Sequence, residues 1–482
     1  MMSSLFIGAT GLKSHSEGMS VISNNLANVN TVGYKQMAIQ YADIMSQYVT
    51  AASANMTNCN QKGMGSVPVD NRTLFTQGGL EKGSAATDLC INGKGFFGVS
   101  KNGQTHYTRA GNFRFTKEGE LLDPNGWNLL GHAIVNGQEE GAATPVILDM
   151  GEKGVGYMPP RATTVLTAVS QLGGVQDSVT DQANPFFSMA SSWNGTVSPP
   201  LDGYSYGENF QFYDSEGVLR NGTIYYDRAG STGGLTAMEY LVAMNPSEDA
   251  SGLAKSNAAG LLMAGTITFA SSGEIVNLTA FSPPASGDPT DLSAWTAAPM
   301  QDGLPVFSAQ PSGAKAQGIG FNIGFKQPNG NSSPATAADA AATPSSVYAI
   351  NSGAQLDSRA SNLYGSSPAS TYSANNGYEA GYLRDLQISA EGIVSGVYSN
   401  RQTDELYRIS LYRFTSEDGL RHEGNNHYSA TPQSGLTEEG VPGSENFGTL
   451  AEYSLEQSNV DYAREFSLMI ITQRGFQMNS KV

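Results

Sequence analysis

Two ends of one chain, more than four hundred residues apart, each carry an apolar side chain at every seventh position, and almost nothing between them does. At the N-terminus one column is Leu5, Leu12, Met19 and Leu26; a second, three places behind, is Gly8, Ile22 and Val29, interrupted by His15. At the C-terminus the column is Leu455, Tyr462, Met469 and Phe476, flanked by Phe466 and Ile470. A strict seven-residue repeat makes a seam along one side of a helix that another helix has to cover. The pattern predicts terminal helices that meet each other or meet copies of themselves.

Such helices gain little by standing alone. Ordering about 25 residues of backbone costs roughly 1 to 2 kcal/mol each, whereas four buried apolar side chains return about 1.5 to 3 kcal/mol apiece. A helix roughly 35 to 40 Å long is therefore expected to fray in the single chain and to be ordered by neighbours. The plainer reading is a pair of ordinary surface helices docked on a core.

A chain of 482 residues exceeds what one core organises, so two to four domains are expected. With 56 glycines and only 14% charged residues, the composition favours short strands and turns over charged helices. A formal net charge of -17 repels nucleic acid and anionic lipid, and no basic run offsets it. Cys59 and Cys90 stand alone, which gives neither a zinc knuckle nor a disulfide framework; both are read as unpaired, with a single bridge as the alternative. No apolar stretch is long enough to span a bilayer. The first ten residues lack the basic start and apolar core of a secretory leader, so the expectation is a cytoplasmic protein or one that leaves the cell without a cleaved leader.

Along the chain, the first helix reads to about Asn30 and is ended by Gly33. A loop-rich connector follows to about Ser66. From Val67 the period becomes two, with hairpin signals at Asn102-Gly103 and Asn125-Gly126. Between 149 and 371 the composition drifts to Ala, Ser, Gly and Pro around short strand-like runs, a second β unit with room for two subdomains. Within it, 332–346 reads as a low-complexity surface loop or linker. After Gly377 the earlier alternation returns. The expected order is a helix and connector over 1–66, a β domain over 67–148, an inserted β region over 149–371, the β domain resumed over 372–445, and a helix within 446–482. The fold class is α+β, mainly β, with the terminal helices pairing as in a coiled coil.

Motifs of chemistry are sparse. Gly93-Lys94-Gly95-Phe96-Phe97-Gly98 matches a dinucleotide fingerprint by letter but leads into a hairpin rather than a helix, so it reads as a glycine-kinked strand burying Phe96 or Phe97. Gly8, Gly11, Lys13 and Ser14 have neither the spacing nor the preceding strand of a phosphate loop. His422, Glu423 and His427 sit in HEGNNH, whose histidines are five apart and do not share a helical face; a Gly-Asn-Asn turn accounts for it. Paired carboxylates such as Glu417-Asp418 are mostly solvated charge. No catalytic, cofactor or metal residues are assigned, and no enzyme is expected.

SNNLANVNTVGYK at 23–35 resembles the N-terminal signature of the bacterial flagellar axial proteins of rod and hook, and LEQSNVDYAREFSLMIITQRGFQMNSKV at 455–482 is similar to the signature that closes that family. FTQGGLEKGSAATDLCINGKGFFGV, YTRAGNFRFTKEGELLDPNGWNLLGH and GYLRDLQISAEGIVSGVYSNRQTDELYRISLYRF resemble the β domain of its hook members, and the long insert fits those better than the rod members. Two departures stand out: family members usually run a helical turn further, and His427 occupies a place where an apolar residue is commoner.

The resemblance implies a structural protein of the curved, flexible hook that transmits torque from motor to filament. It implies helical self-assembly under a cap, unfolded export through the flagellar type III apparatus without a cleaved signal, and a place on the flagellum outside the cell. Distal rod, hook cap and hook-filament junction proteins are the implied partners, with no cofactor, nucleic acid or membrane insertion. The terminal helices would form the inner tube. The residues so implicated in assembly are Leu5, Leu12, Met19, Ile22, Leu26, Val29, Leu455, Tyr462, Phe466, Met469, Ile470 and Phe476. Those carrying the signature are Asn24, Asn25, Asn28, Asn30, Gly33, Lys35, Ser458, Asn459, Val460, Asp461, Gln473, Arg474 and Asn479. A distal rod or junction protein is the nearest alternative; a secreted glycan-active enzyme would explain the acidic β-rich insert, and a surface adhesin the Ser and Thr richness, but neither explains the matched ends.

Overall fold

The computed structural model describes residues 2–45, 47–48, 61–135, 137–151, 154–179, 185–327, 333–349, 355–357 and 359–481. Among these lie five α-helices: α1 (Met2–Ala27), α2 (Ser188–Ser192), α3 (Ala337–Ala342), α4 (Pro344–Val347) and α5 (Tyr462–Asn479). Strand dominates the rest. The chain forms two compact units, one from 1–158 with 382–482 and the other from 159–381.

In the first unit an antiparallel sheet runs in the order Gly381–Ile388, Ile393–Tyr398, Thr403–Ile409, Asn128–Val135, Phe96–Lys101, Gln104–Thr108, His427–Ser429. Strands from both sides of the insert are neighbours, with Gly131 opposite Ile409 and Ala133 opposite Tyr407. The turn at Asn102-Gly103 has φ of 53° and 78°, the left-handed pair that joins twisted strands tightly. Both phenylalanines of the glycine-rich run are buried, on opposite faces: Phe97 packs with Val99, Phe113 and Leu129, and Phe96 with Tyr107, Phe414 and Tyr428. Gly424, Asn425 and Asn426 make the turn read from HEGNNH, all with positive φ. His427 is a buried, bonded residue of this unit, its Nε2 2.7 Å from Asp123 Oδ2.

Three local expectations are corrected in this unit. The first helix stops at Ala27, three residues before Asn30, and a run of turns leads to Gly33 at φ 69°. Part of the loop-rich connector is strand: Met37–Asp43 pairs with Ser66–Thr73, so Val67 belongs to a hairpin beside α1. Leu455 is not helical. It lies in strand Ser454–Glu456, opposite Glu81, because α5 begins only after Asp461, whose side chain accepts the Arg464 N–H at 3.1 Å.

The second unit has a seven-stranded antiparallel sheet built on Tyr206–Tyr213, Leu219–Thr232, Leu235–Met244 and Leu261–Phe269. A five-stranded sheet contains Leu304–Ala309, Gln317–Asn322, Val165–Gln171 and Ala369–Asn375. One core unites the two sheets: Phe210, Phe212, Tyr226 and Tyr240 from the first, Leu166, Phe307, Ile319 and Phe321 from the second. The other face of the larger sheet is covered by α2, α3, α4 and Trp295. Residues 333–346 are thus not a plain loop. Thr336 and Asp339 cap α3 reciprocally, and Ala337, Ala340 and Val347 are buried. Among the described residues no helix is long and apolar enough to cross a membrane. Cys90 is a free, buried thiol, and Cys59 lies outside the described residues.

Candidate functional site

Helix α1 carries Gly8, Gly11 and Gly18, each costing about 1 kcal/mol against alanine in a helix interior, so packing has to hold it. That packing comes from α5. A Cβ added to Gly11 would lie 2.5 Å from Asn479 Nδ2 and one added to Gly475 2.6 Å from His15 Cε1; one added to Gly18 would meet the Tyr41 hydroxyl at 2.3 Å and Thr472 Cγ2 at 3.8 Å. Asn25 Nδ2 donates to Glu465 Oε2 at 3.0 Å. Contacts that rise in number along α1 fall along α5, so the helices are antiparallel and formed within one chain, where fraying was expected.

The seam runs through positions 11, 15, 18 and 25 against 479, 475, 472 and 465, spaced by three, four and seven as in a coiled coil but made of small and polar residues. Of the two N-terminal columns, the one interrupted by His15 faces α5, with Gly8 and Ile22 buried. The other does not close against α5: Leu5 is 67% exposed, while Leu12, Met19 and Leu26 are half-buried. Val29 is half-buried just past the helix end. On α5, Met469 is half-buried, and Tyr462 (59%), Phe466 (46%), Ile470 (43%), Ile471 (65%) and Phe476 stay exposed. Tyr462 and Phe466 stack at 5.8 Å between ring centroids.

Where the helix pair meets the β-sheet unit, signature residues build a buried polar joint. Asn25 Oδ1 accepts the Met37 N–H at 3.0 Å and the Tyr34 hydroxyl at 3.2 Å. Its amide donates to Met37 O at 2.9 Å. Gln36 Nε2 donates to Glu465 Oε1 at 2.7 Å, and Asn459 Oδ1 accepts the Gln36 N–H at 2.7 Å. Asn459 also donates to Leu74 O and Thr76 O.

Below it Lys35 Nζ donates to Glu456 Oε1 at 2.6 Å and to Thr76 O at 2.7 Å, with neither charged side chain exposed. Arg109 Nη1 stands 3.5 Å from Glu456 Oε2 and 3.3 Å from Ile91 O, to which it donates. Burial and the neighbouring Arg109 charge lower the Lys35 pKa against the pull of Glu456. Burial and the Glu456 charge push the Cys90 thiol up to about 11, so it stays protonated and unreactive at neutral pH.

Not every signature residue enters the joint. Asn24 donates to the Tyr34 hydroxyl at 3.3 Å, Asn28 turns back to Asn24 O, and Ser458 Oγ accepts the Val460 N–H. Val460 is buried, Asn30, Gln473 and Arg474 are exposed, and Asn479 lies on Gly11. Sequence reasoning missed Tyr34, Gln36, Arg109, Glu456 and Glu465. For Tyr34, Glu456 and Glu465 the available signal was ionisable residues inside the signatures of a charge-poor chain, which seldom spends charge without a partner. Among the described residues no cluster of His, Cys, Asp and Glu could hold a metal.

Comparison with known proteins places this arrangement. The ends match the models for flagella basal body rod protein at 5–35 and flagellar basal body rod FlgEFG protein C-terminal at 451–482. Residues 90–152 match the flagellar hook protein FlgE/F/G D1 domain, and 192–378 the flagellar basal body protein FlaE D2 domain. The flagellar hook protein FlgE of Treponema pallidum is 27% identical over all of this chain and 96% of that protein. That of Escherichia coli is 27% identical over 98% of this chain and 94% of its own length. The solved Helicobacter pylori flagellar hook protein FlgE2 covers 78% of this chain and all of that one, at a TM-score of 0.39 and 13% identity. Matched in order from one terminal helix to the other, the chain belongs to the flagellar hook protein family, as a structural subunit of the hook.

Proposed function

We propose that this subunit polymerises with copies of itself by burying the apolar stripe that its terminal helices leave in water. One observation carries the reading: Tyr462, Phe466, Ile470 and Ile471 lie exposed on a helix whose contact with α1 is already taken up by small and polar residues. Covering each is worth roughly 1.5 to 3 kcal/mol, and the stripe is out of reach of the chain's own seam. A second copy supplies what is missing. A patch meeting a different patch on the next copy repeats by a screw operation and gives an open tube rather than a closed ring.

On this reading 1–66 and 446–482 form the inner layer, and the β units lie outside it. Their small, sparsely charged surfaces exchange contacts at low cost as the tube bends. The subunit works without catalysis, outside the cell, after export without a cleaved signal. It meets the distal rod below and the cap and hook-filament junction proteins above.

The test is truncation. A chain lacking residues 1–30 is expected to remain soluble with intact β units and to form no tubes in electron micrographs of concentrated protein. Tubes of ordinary width and curvature from that truncation would overturn the reading.

A further inference from the structure

The helix-covered face of the seven-stranded sheet holds two acids that its apolar surroundings do not explain. Asp227, Glu239 and Thr266 form one row across three adjacent strands, Asp227 opposite Glu239 and Glu239 opposite Thr266. Both carboxylates are buried, at 2% and 1% exposure. Each grips backbone instead of a cation. Asp227 Oδ1 and Oδ2 accept the Ser178 N–H at 3.0 and 3.1 Å, and Oδ2 the Val179 N–H at 3.0 Å. Glu239 Oε2 and Oε1 accept the Met189 and Ala190 N–H groups, each at 3.0 Å.

What the second grip holds down is a cover. From Phe186 to Trp193 the chain drops Phe187, Met189 and Trp193 into an apolar cluster with Leu241, Ala264 and Phe281. The groups facing Glu239 are few: Asp227 on one neighbouring strand, Thr266 on the other with its hydroxyl engaged by Thr279 at 2.7 Å, and the backbone of α2 above. Asp177 is the next charge beyond Asp227, and the Arg228 guanidinium is turned to Ser231 Oγ at 2.8 Å. Among the described residues no positive group balances a second negative charge here.

We propose that Asp227 and Glu239 form a proton-dependent staple: while the pair carries a proton, Phe186–Trp193 stays seated on the sheet, and ionisation of both acids releases it. Asp227 and Glu239 are directly opposed on neighbouring strands, where Cβ atoms stand about 4.5 to 5.5 Å apart, and two like charges on side chains rooted that close and buried from solvent are costly to ionise together. Burial, opposed by the backbone N–H bonds of Ser188, Met189 and Ala190 and reinforced by Asp227, pushes the Glu239 carboxyl up to about 8. Burial raises Asp227 as well. A folded-state pKa above the ordinary 4.5 means that the folded chain keeps a proton the unfolded chain loses. The stabilisation is complete below about pH 4.5, declines as pH rises through about 8, and is gone above that, so release is alkaline.

Hydrogen exchange of the full chain, corrected for intrinsic rates and followed from about pH 6 to about pH 9.5, tests this. Protection of Phe186–Trp193 is expected to fall at least about tenfold between about pH 6 and about pH 8 and to level off above that, while a protonated-carboxyl infrared band is lost with a midpoint near 8. Glu239→Gln removes both changes. Asp227→Asn takes away the like charge and lowers the infrared midpoint, and it carries the test should Glu239→Gln not fold. Protection that is flat with pH in the unmodified chain, an unchanged step in Glu239→Gln, or an unmoved midpoint in Asp227→Asn would each overturn the staple.

Discussion

Lys35 and Glu456, 421 positions apart in sequence, meet at 2.6 Å with neither side chain exposed to solvent. Glu456 also accepts the Gly78 N–H at 2.9 Å, and its backbone oxygen accepts the Gly33 N–H at 2.8 Å. Through its carboxylate and its backbone oxygen, Glu456 ties together the turn that follows the first helix, the start of the β unit and the strand that precedes the last helix.

Replacing Lys35 with Met should be severe. It leaves Glu456 buried with only Arg109 at 3.5 Å for charge, and removing one partner of a buried pair costs about 3 to 5 kcal/mol. Urea unfolding followed in the first unit measures this, and a loss below about 1 kcal/mol would show that the pair is not holding the joint.

Substituting Phe466 and Ile470 with Ser should separate folding from assembly. Both are exposed in the single chain, so the monomer's stability is expected to change by no more than about 0.5 kcal/mol per site, while sedimentation and electron microscopy detect loss of polymer. A large fall in melting temperature would mean that these side chains are already covered within one chain.

Asn25→Asp brings a second carboxylate to Glu465, now 3.0 Å from the Asn25 amide, and removes a donor to Met37 O. Leaving buried groups unsatisfied costs about 1 to 3 kcal/mol. Hydrogen exchange should quicken in the first turn of α5 more than at its C-terminal end, where Asn479 and Gly11 are untouched. Uniform exchange along α5 would count against Asn25 as the anchor.

Acid should loosen the first unit through Asp123. Burial alone would raise this carboxyl, but hydrogen bonds from His427 and the Trp127 N–H hold it below its ordinary 3.8. A depressed folded-state pKa gives stability that is present above about 3.8 and lost as pH falls further. Asp123→Asn is expected to lower stability by about 1.5 to 3 kcal/mol at neutral pH and to flatten the decline below pH 3.8, as read from denaturation curves across acidic pH.

Gly78→Ala tests the close packing of the joint. The added Cβ would come 2.0 Å from Gln457 O, a backbone atom that cannot swing aside. Overpacking of this kind costs about 1 to 3 kcal/mol, and an unchanged melting temperature would mean that the two segments are not pressed together.

Much of the fold was legible from short-range pattern. The Asn102-Gly103 and Gly424-Asn425-Asn426 turns follow from backbone sterics. The strand nature of the glycine-rich run follows from what comes after it. The helices α3 and α4 were hidden because alanine, serine and proline are compatible with both loop and capped helix, and the Thr336–Asp339 reciprocal cap decides between them. Leu455 misled because a seven-residue spacing does not require that all its members share one helix.

The sequence by itself determined that both ends carry periodic apolar side chains and bear the signatures of one family, since period and composition are local properties of the chain. The tertiary structure alone decided which column faces which helix. Glycines at 11 and 475 admit the partner so closely that small and polar residues fill the seam, while Tyr462, Phe466 and Ile471 turn outward. It alone also paired Lys35 with Glu456 and Asn25 with Glu465, because a buried charge or amide is bonded by whatever the fold brings within 3 Å, at any separation along the chain.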